Sequence, residues 1–427
     1  MVGSAPPGAA PKVKGRHVAA ALVGNALEFY DFTTYAFFAV QIGHAFFPAR
    51  TAFISLMLSL ATFGVGFVSR PIGALVIGRY GDRAGRKPAM LLSFGLMGLS
   101  ILALALTPTY QMIGMAAPAI VLVVRLVQGF ALGGDVGPTT AYLMEAAPAS
   151  RRGLFGGGQI GSQGIATLAA GLVGVGLATF LDPSSIDAWG WRAAMLLGAA
   201  ILPFGLVLRM SLPETLDLEP PAPEASASAP RTASLRVIVC GLAAIAAATI
   251  ATYIMNYMTT YASATLHMKG QLAFSATVVV GLCVAVFSVV GGALSDRFGR
   301  RAIMIWPRAA LLVAIWPAFA WVGLRRDAPA LLGATALMAA LGALNATPIL
   351  VCLAEALPSR TRSGGVGVIY AVAIAVFGGT TQLVITWLMQ VTGQEIAPAW
   401  YLMGATAVGL VAVCLMPETA PRLMKKV

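Results

Sequence analysis

Twelve stretches of the chain stay apolar for long enough to cross a bilayer, which takes about 20 residues of helix. With ends good to a few residues, they fall at about 18–44, 52–78, 89–107, 113–144, 154–180 and 191–211, then at about 236–264, 272–295, 302–323, 329–355, 364–390 and 398–416. We number them helices 1 to 12. Between the sixth and the seventh, Leu212 to Arg236 reads LPETLDLEPPAPEASASAPRTASLR, a Pro, Ala, Ser and Glu mixture that cannot form a packed core and marks a flexible linker. The pattern predicts an all-α integral membrane protein. Its expected parts are an N-terminal tail over 1–17, a six-helix bundle over 18–211, a linker over 212–235, a second six-helix bundle over 236–416 and a C-terminal tail over 417–427.

Composition agrees. Of 427 residues, 58% are apolar and 10% charged, against about 25% charged in a soluble domain. That excludes an ordinary water-soluble enzyme. The net charge of +12 would suggest nucleic acid if it lay on one soluble face, but it follows the loops. Both tails, the linker and the loops after helices 2, 4, 8 and 10 hold about twenty of the 28 Lys and Arg residues, and the alternate loops hold about four. This bias places both termini in the cytoplasm and the chain as a multi-pass protein of the cell inner membrane, with no nucleic acid partner. Arg325 and Arg326 run against it, softened by Asp327 beside them. The region 1–16 has no apolar core with a cleavage site and is expected to be a cytoplasmic tail. Cys240, Cys283, Cys352 and Cys414 sit in apolar runs without paired spacing, so neither a metal site nor a disulfide framework is expected. No nucleotide loop or catalytic constellation lies in the spans, so neither a cofactor nor enzyme chemistry is expected.

Internal repetition is more informative. GRYGDRAGRK follows helix 2 and GALSDRFGRR follows helix 8, with Asp82 and Asp296 214 residues apart. EAAPASRRG follows helix 4 and EALPSRTRSGG follows helix 10, with Glu145 and Glu355 210 apart. Helices 6 and 12 end in LPET and MPET, Pro213 and Pro417 being 204 apart. Three motifs in one order at nearly one offset make the bundles pseudo-symmetric copies related in parallel, the arrangement of a rocking transporter with its site between the halves.

These motifs, with RxxQG in helix 4 (Arg125, Gln128, Gly129), resemble the major facilitator superfamily over essentially the whole chain. GNALEFYDF in helix 1, FVSRPIGA in helix 2 and RLVQGFALGGDVG in helix 4 narrow the resemblance to the metabolite:proton symporters. GGQIGSQGIA, WGWR and TGQEIAPAWYLM make the chain most similar to the citrate and tricarballylate symporters among them. The resemblance implies the major facilitator fold and proton-coupled import of a small organic anion, a di- or tricarboxylate such as citrate, by alternating access. Relatives of this kind also carry betaine, proline or shikimate, which leaves a zwitterion or a shikimate-like acid as the alternative cargo. A drug/proton antiporter is a more distant alternative. The expected partners are an organic anion, protons and the lipid bilayer, with the chain acting as a monomer.

A charge at mid-bilayer costs about 2.5–3.5 kcal/mol on insertion scales, so the few ionisable residues inside the spans carry the chemistry. Glu28 and Asp31 share one face of helix 1, with Asn25, a candidate substrate contact, a turn earlier. Two carboxylates this close in a partly dry site resist ionising together, which suits loading and releasing a proton; the alternative is a permanent pairing with a cation of a neighbouring helix. Arg70 precedes Pro71, and a guanidinium is a natural anchor for a carboxylate; it also has Asp31 and Asp135 as possible internal partners. The resemblance associates Arg125 with proton movement, although pairing with Glu28 or Asp31 serves as well. Asp135 is a candidate second proton station or a gate. Gln159 and Gln163 share a face of helix 5. Tyr253, Asn256, Tyr257 and Tyr261 form a stripe on helix 7, with Asn345 on helix 10 and Tyr370 and Gln382 on helix 11. All but Tyr261 are candidate substrate contacts, each weighed against plain interhelical hydrogen bonding. Arg308, a few residues into helix 9, is expected to snorkel to the nearby interface; reaching the cavity instead, it would offer a tricarboxylate a third cation. Asp82, Arg83, Arg86, Asp296, Arg297 and Arg300 of the two DRxGR loops are expected to latch neighbouring helix ends. The matching motif residues Glu145, Arg152, Glu355 and Arg362 complete the expected gate.

Overall fold

Apolar runs rich in small residues build nearly the whole chain into helices, and the computed structural model describes residues 15–84, 86–210, 235–357 and 362–421. The twelve spans follow in the expected order. Helix 1 is Gly15–Phe37 continued by Ala39–Phe46, helix 2 is Ala52–Val68 with Arg70–Ala84, helix 3 Arg86–Leu106, helix 4 Ala116–Ala146, helix 5 Arg152–Phe180 and helix 6 Trp191–Met210. Helix 7 is Leu235–Thr260 with a π-helical turn at Tyr261–Thr265, helix 8 Gly270–Phe298, helix 9 Arg300–Arg325 and helix 10 Ala328–Ala356. Helix 11 joins Arg362–Ala373 to Gly379–Thr392 through a π-helical turn at Ile374–Gly378, and helix 12 is Ala397–Leu415. Among the described residues, nine helices are by length and composition alone apolar enough to cross a membrane. The expected linker at 212–235 lies, but for Leu235, outside the described residues.

Helix 2 breaks at Ser69. Pro71 has no N–H to give, and its ring displaces the carbonyl of the preceding turn. The Ser69 hydroxyl instead donates to the Leu126 carbonyl of helix 4 at 2.7 Å. Arg70 therefore begins the second segment of helix 2, beside the Ser69 contact with helix 4.

The halves meet along helices 5 and 8, where small residues bring backbone against backbone. A Cβ on Gly157 would stand 2.6 Å from the Ser288 carbonyl oxygen, and one on Gly171 2.7 Å from the Val278 nitrogen. Hydrocarbon supplies no hydrophobic drive between helices, so such close approach and the dispersion it allows hold the seam. Helices 2 and 11 cross the same way at Gly64 and Gly379. The WGWR segment is explained locally: Arg192 Nη1 donates to the Ala105 and Thr107 carbonyls at 2.6 and 2.8 Å, capping the C-terminus of helix 3.

Candidate functional site

A cavity of about 150 Å³ lies between the halves, with walls from helices 1, 2 and 5 on one side and helices 7 to 12 on the other. Of the residues singled out from the sequence, Arg70, Gln159, Gln163, Tyr253, Asn256, Asn345 and Tyr370 line it. Arg70 is 5% exposed. Its guanidinium carbon sits 4.3 Å from the Phe67 ring centroid and 4.6 Å from that of Phe32. Tyr253 packs edge-on against Phe67, 5.4 Å between centroids, and its hydroxyl lies beside the guanidinium with that of Tyr370. Cation–π contacts of this kind are worth about 0.5–2 kcal/mol each, which offsets part of the cost of a cation at this depth. Nε and Nη2 of Arg70 are buried and have no hydrogen-bond partner, so the fork that would grip a carboxylate is unfilled.

Arg125 differs. It is 1% exposed, does not line the cavity, and is boxed by Tyr35 at 4.0 Å, Phe63 at 5.0 Å and Phe32 at 5.4 Å. Nη1 donates to Gln128 Oε1 at 2.5 Å, so the RxxQG motif closes on itself. Among the described residues Arg125 forms no ion pair. Phe32 is thus shared by two guanidinium groups, a cage that neither helical periodicity nor charge patterning announced. The signal that was available is Phe63, Phe67 and Arg70 at i, i+4 and i+7 on helix 2.

Three candidates lie elsewhere. Asn25 Nδ2 donates to Ser162 Oγ at 2.7 Å and to the Gln159 carbonyl at 3.2 Å, clamping helix 1 to helix 5. Gln382 Nε2 donates to the Tyr253 carbonyl at 3.4 Å. Tyr257 is bonded to Thr386 Oγ1 at 2.7 Å and lines a second, separate pocket with His44 and Glu395. The stripe on helix 7 is therefore divided by depth: Tyr253 and Asn256 face the cavity, while Tyr257 and Tyr261 belong to the level beyond it. Glu28 is buried, 2% exposed. The side chains of Asp31, Asp135, Asp82, Arg83, Arg86, Glu145 and Arg362 lie outside the described residues, although Phe32 and Thr33, next to Asp31, line the cavity.

The expectation that Arg308 snorkels to the interface is overturned. It is 2% exposed and lines the cavity. Small residues of helices 7 and 12, Ala244, Ala247 and Gly409, leave room for the guanidinium to turn inward, and a Cβ on Gly409 would collide with it.

Where helix 8 ends, Gly299 takes a positive φ of 103° and turns the chain into helix 9. Asp296 accepts the Gly153 and Leu154 amides at the start of helix 5, both at 2.9 Å, so one half caps a helix of the other. Arg300 Nη1 donates to Asp296 at 2.7 Å, while its Nε and Nη2 fork onto Glu355, each at 3.2 Å. Glu418 of the MPET motif accepts the Arg300 and Arg301 amides at 2.9 and 3.0 Å, and Thr419 donates to Glu355 at 2.7 Å. Arg297 is exposed and stacks on Phe298 instead, 5.3 Å from the ring centroid. Arg152 is half-buried, with Nε lacking a hydrogen-bond partner.

The model of the sugar (and other) transporter family matches residues 17–217 and 226–427. A citrate-proton symporter of Klebsiella pneumoniae is 36% identical over 401 residues, 92% of this chain and 89% of its own length. A proline/betaine transporter of Escherichia coli K12 is 30% identical over 425 residues, 96% of this chain and 84% of its own. Among solved structures, a D-xylose-proton symporter superposes with a TM-score of 0.75 over 95% of this chain and 98% of that one, at 17% identity, a likeness of fold.

Proposed function

Because the chain belongs to the sugar (and other) transporter family, within the major facilitator superfamily, we propose that it is a proton-coupled symporter of the inner membrane. On this reading it imports a di- or tricarboxylate such as citrate by alternating access, with both termini cytoplasmic and the monomer as the working unit. The observation that carries the reading is Arg70, a buried guanidinium with two nitrogens lacking hydrogen-bond partners, opening on a cavity walled by both halves. Similarity to citrate-proton symporters supports the cargo.

Coupling follows from charge. Helix 1 carries Glu28 and Asp31 in its sequence, and protonating them removes negative charge from the first half just as an anion arrives at Arg70. Loaded with both, the site is close to neutral. Loaded with the anion alone, it leaves excess charge in a medium where charge is costly, and the halves do not rock. The Asp296, Arg300 and Glu355 network and its counterpart motif hold one mouth shut between strokes.

The proline/betaine relative supports a zwitterion as second cargo, and aromatic cages do bind quaternary ammonium groups. Here, however, the rings of the cage already hold the Arg70 guanidinium, which favours an anion. Purified protein in proteoliposomes with an imposed pH gradient, offered radiolabelled citrate, succinate and betaine, tests the proposal. Citrate accumulation that collapses with the gradient is the expected result, and in Asp31→Asn exchange survives while accumulation stops. Gradient-driven betaine uptake without citrate uptake would transfer the assignment to the second cargo, and indifference of every solute to the gradient would remove symport.

A further inference from the structure

The cavity contains a second guanidinium that motif reasoning assigns to nothing. Arg308 lies eight residues into helix 9, on the wall opposite Arg70, and is 2% exposed. Among the described residues its one hydrogen bond is from Nη2 to the Ala244 carbonyl at 3.3 Å, and Nη1 has no partner. Among the described residues no carboxylate pairs with it. Its neighbours are Ala244, Ala247 and Gly409, where a Cβ at Gly409 would run into the guanidinium, and the adjoining cavity wall adds only neutral groups such as Asn345 and Thr406. A long cationic side chain near a helix end would ordinarily reach for water. Here it is turned inward by a socket of small residues and left, among the described residues, without a charge partner.

We propose that Arg308 is a substrate-binding residue, the anchor for a second carboxylate of the cargo, so that one anion is held between Arg70 of the first half and Arg308 of the second. The inference rests on the carboxylate reading above and deepens it, making the cavity selective for acids with at least two carboxylates. A monocarboxylate satisfies one guanidinium and strands the other. A zwitterion brings its own cation toward a site that already has two. Because the anchors belong to different halves, the polycarboxylate also ties the halves together while bound, which a shorter acid cannot do.

The test is inhibition of radiolabelled citrate uptake by citrate itself and by citrate with one terminal carboxylate converted to the amide. In the wild-type carrier the amide is expected to be on the order of 10–100-fold weaker, the range for a lost hydrogen-bonded charge. In Arg308→Gln, citrate weakens by a similar factor and the gap between citrate and amide shrinks to about threefold or less. Arg308→Lys restores part of the gap. Gly409→Ala, which crowds the guanidinium and keeps its charge, narrows the gap partway and carries the test if Arg308→Gln does not fold. Gradient-driven citrate uptake with a wild-type gap in Arg308→Gln or, failing that variant, in Gly409→Ala overturns the role of Arg308 and leaves the symport reading standing. A wild-type carrier that takes up no carboxylate overturns both.

Discussion

Arg300 and Arg308 stand two turns apart on helix 9, and both are buried, yet their surroundings are opposites. Arg300 is gripped by Asp296, Glu355 and Ser295. Arg308 has a single backbone carbonyl. Burial makes both costly, and among the described residues only the first has carboxylate partners. A buried cation compensated by carboxylates of helices 8 and 10 works as a clasp, and its worth is conformational. A buried cation left uncompensated at the edge of a cavity is one whose counter-charge comes from outside.

Breaking the compensated site is expected to have the largest effect. Arg300→Leu leaves Asp296 and Glu355 without their cation, and removing one partner of a buried pair costs about 3–5 kcal/mol. Thermal unfolding in detergent reads the loss, and Glu355→Leu added to it recovers much of the stability if the cost is the stranded charge. The uncompensated kind responds in the opposite currency. Arg70→Gln is expected to leave unfolding nearly unchanged while weakening carboxylate uptake about 100-fold, near 2.7 kcal/mol, within the range for charged hydrogen bonds; a large stability loss with unaltered half-saturation would make Arg70 a structural residue. Between the two lies the seam, where Gly157→Ala forces a Cβ against the Ser288 carbonyl and is expected to cost about 1–3 kcal/mol of stability, again read by unfolding temperature.

The smallest effect belongs to an exposed pair. The Ala330 amide at the start of helix 10, and then Arg325, hold the Asp327 carboxyl below the usual carboxylate range. A depressed value means the contribution is present above the ordinary aspartate pKa of about 3.9 and is lost as pH falls through the folded value. Asp327→Asn should therefore lower the unfolding temperature slightly at pH 7, and the difference should fade in strong acid.

The fold was legible because hydropathy runs and three recurring motifs state it redundantly. Arg70, Gln159 and Tyr253 were legible as cavity groups because polar residues in a lipid-spanning helix have few other places to go. Tyr257 lies one level beyond the cavity because helical spacing gives the face a side chain shares but not the depth at which that face meets the cavity, whereas Asn25 and Gln382 make the interhelical hydrogen bonds that were the alternative to substrate contact. The destination of Arg308 was hidden more deeply. It depends on Ala244 and Gly409, 64 residues before it and 101 after it in sequence, and on the lack of a nearby carboxylate among the described residues, none of which a motif records. The aromatic box around Arg125 was missed because the sequence showed the charges and the rings separately.

The glycine-lined meeting of helices 5 and 8 has a mechanical consequence. Backbone faces backbone at Gly153, Gly157, Gly164 and Gly292, and only a few side chains, such as Val289 and Phe274, press on glycines there, so the seam is suited to act as a plain bearing. Friction against reorientation is then concentrated at the clasp and at whatever occupies the hollow, which places the timing of each stroke with the ligand and the proton rather than with the long axis they turn on.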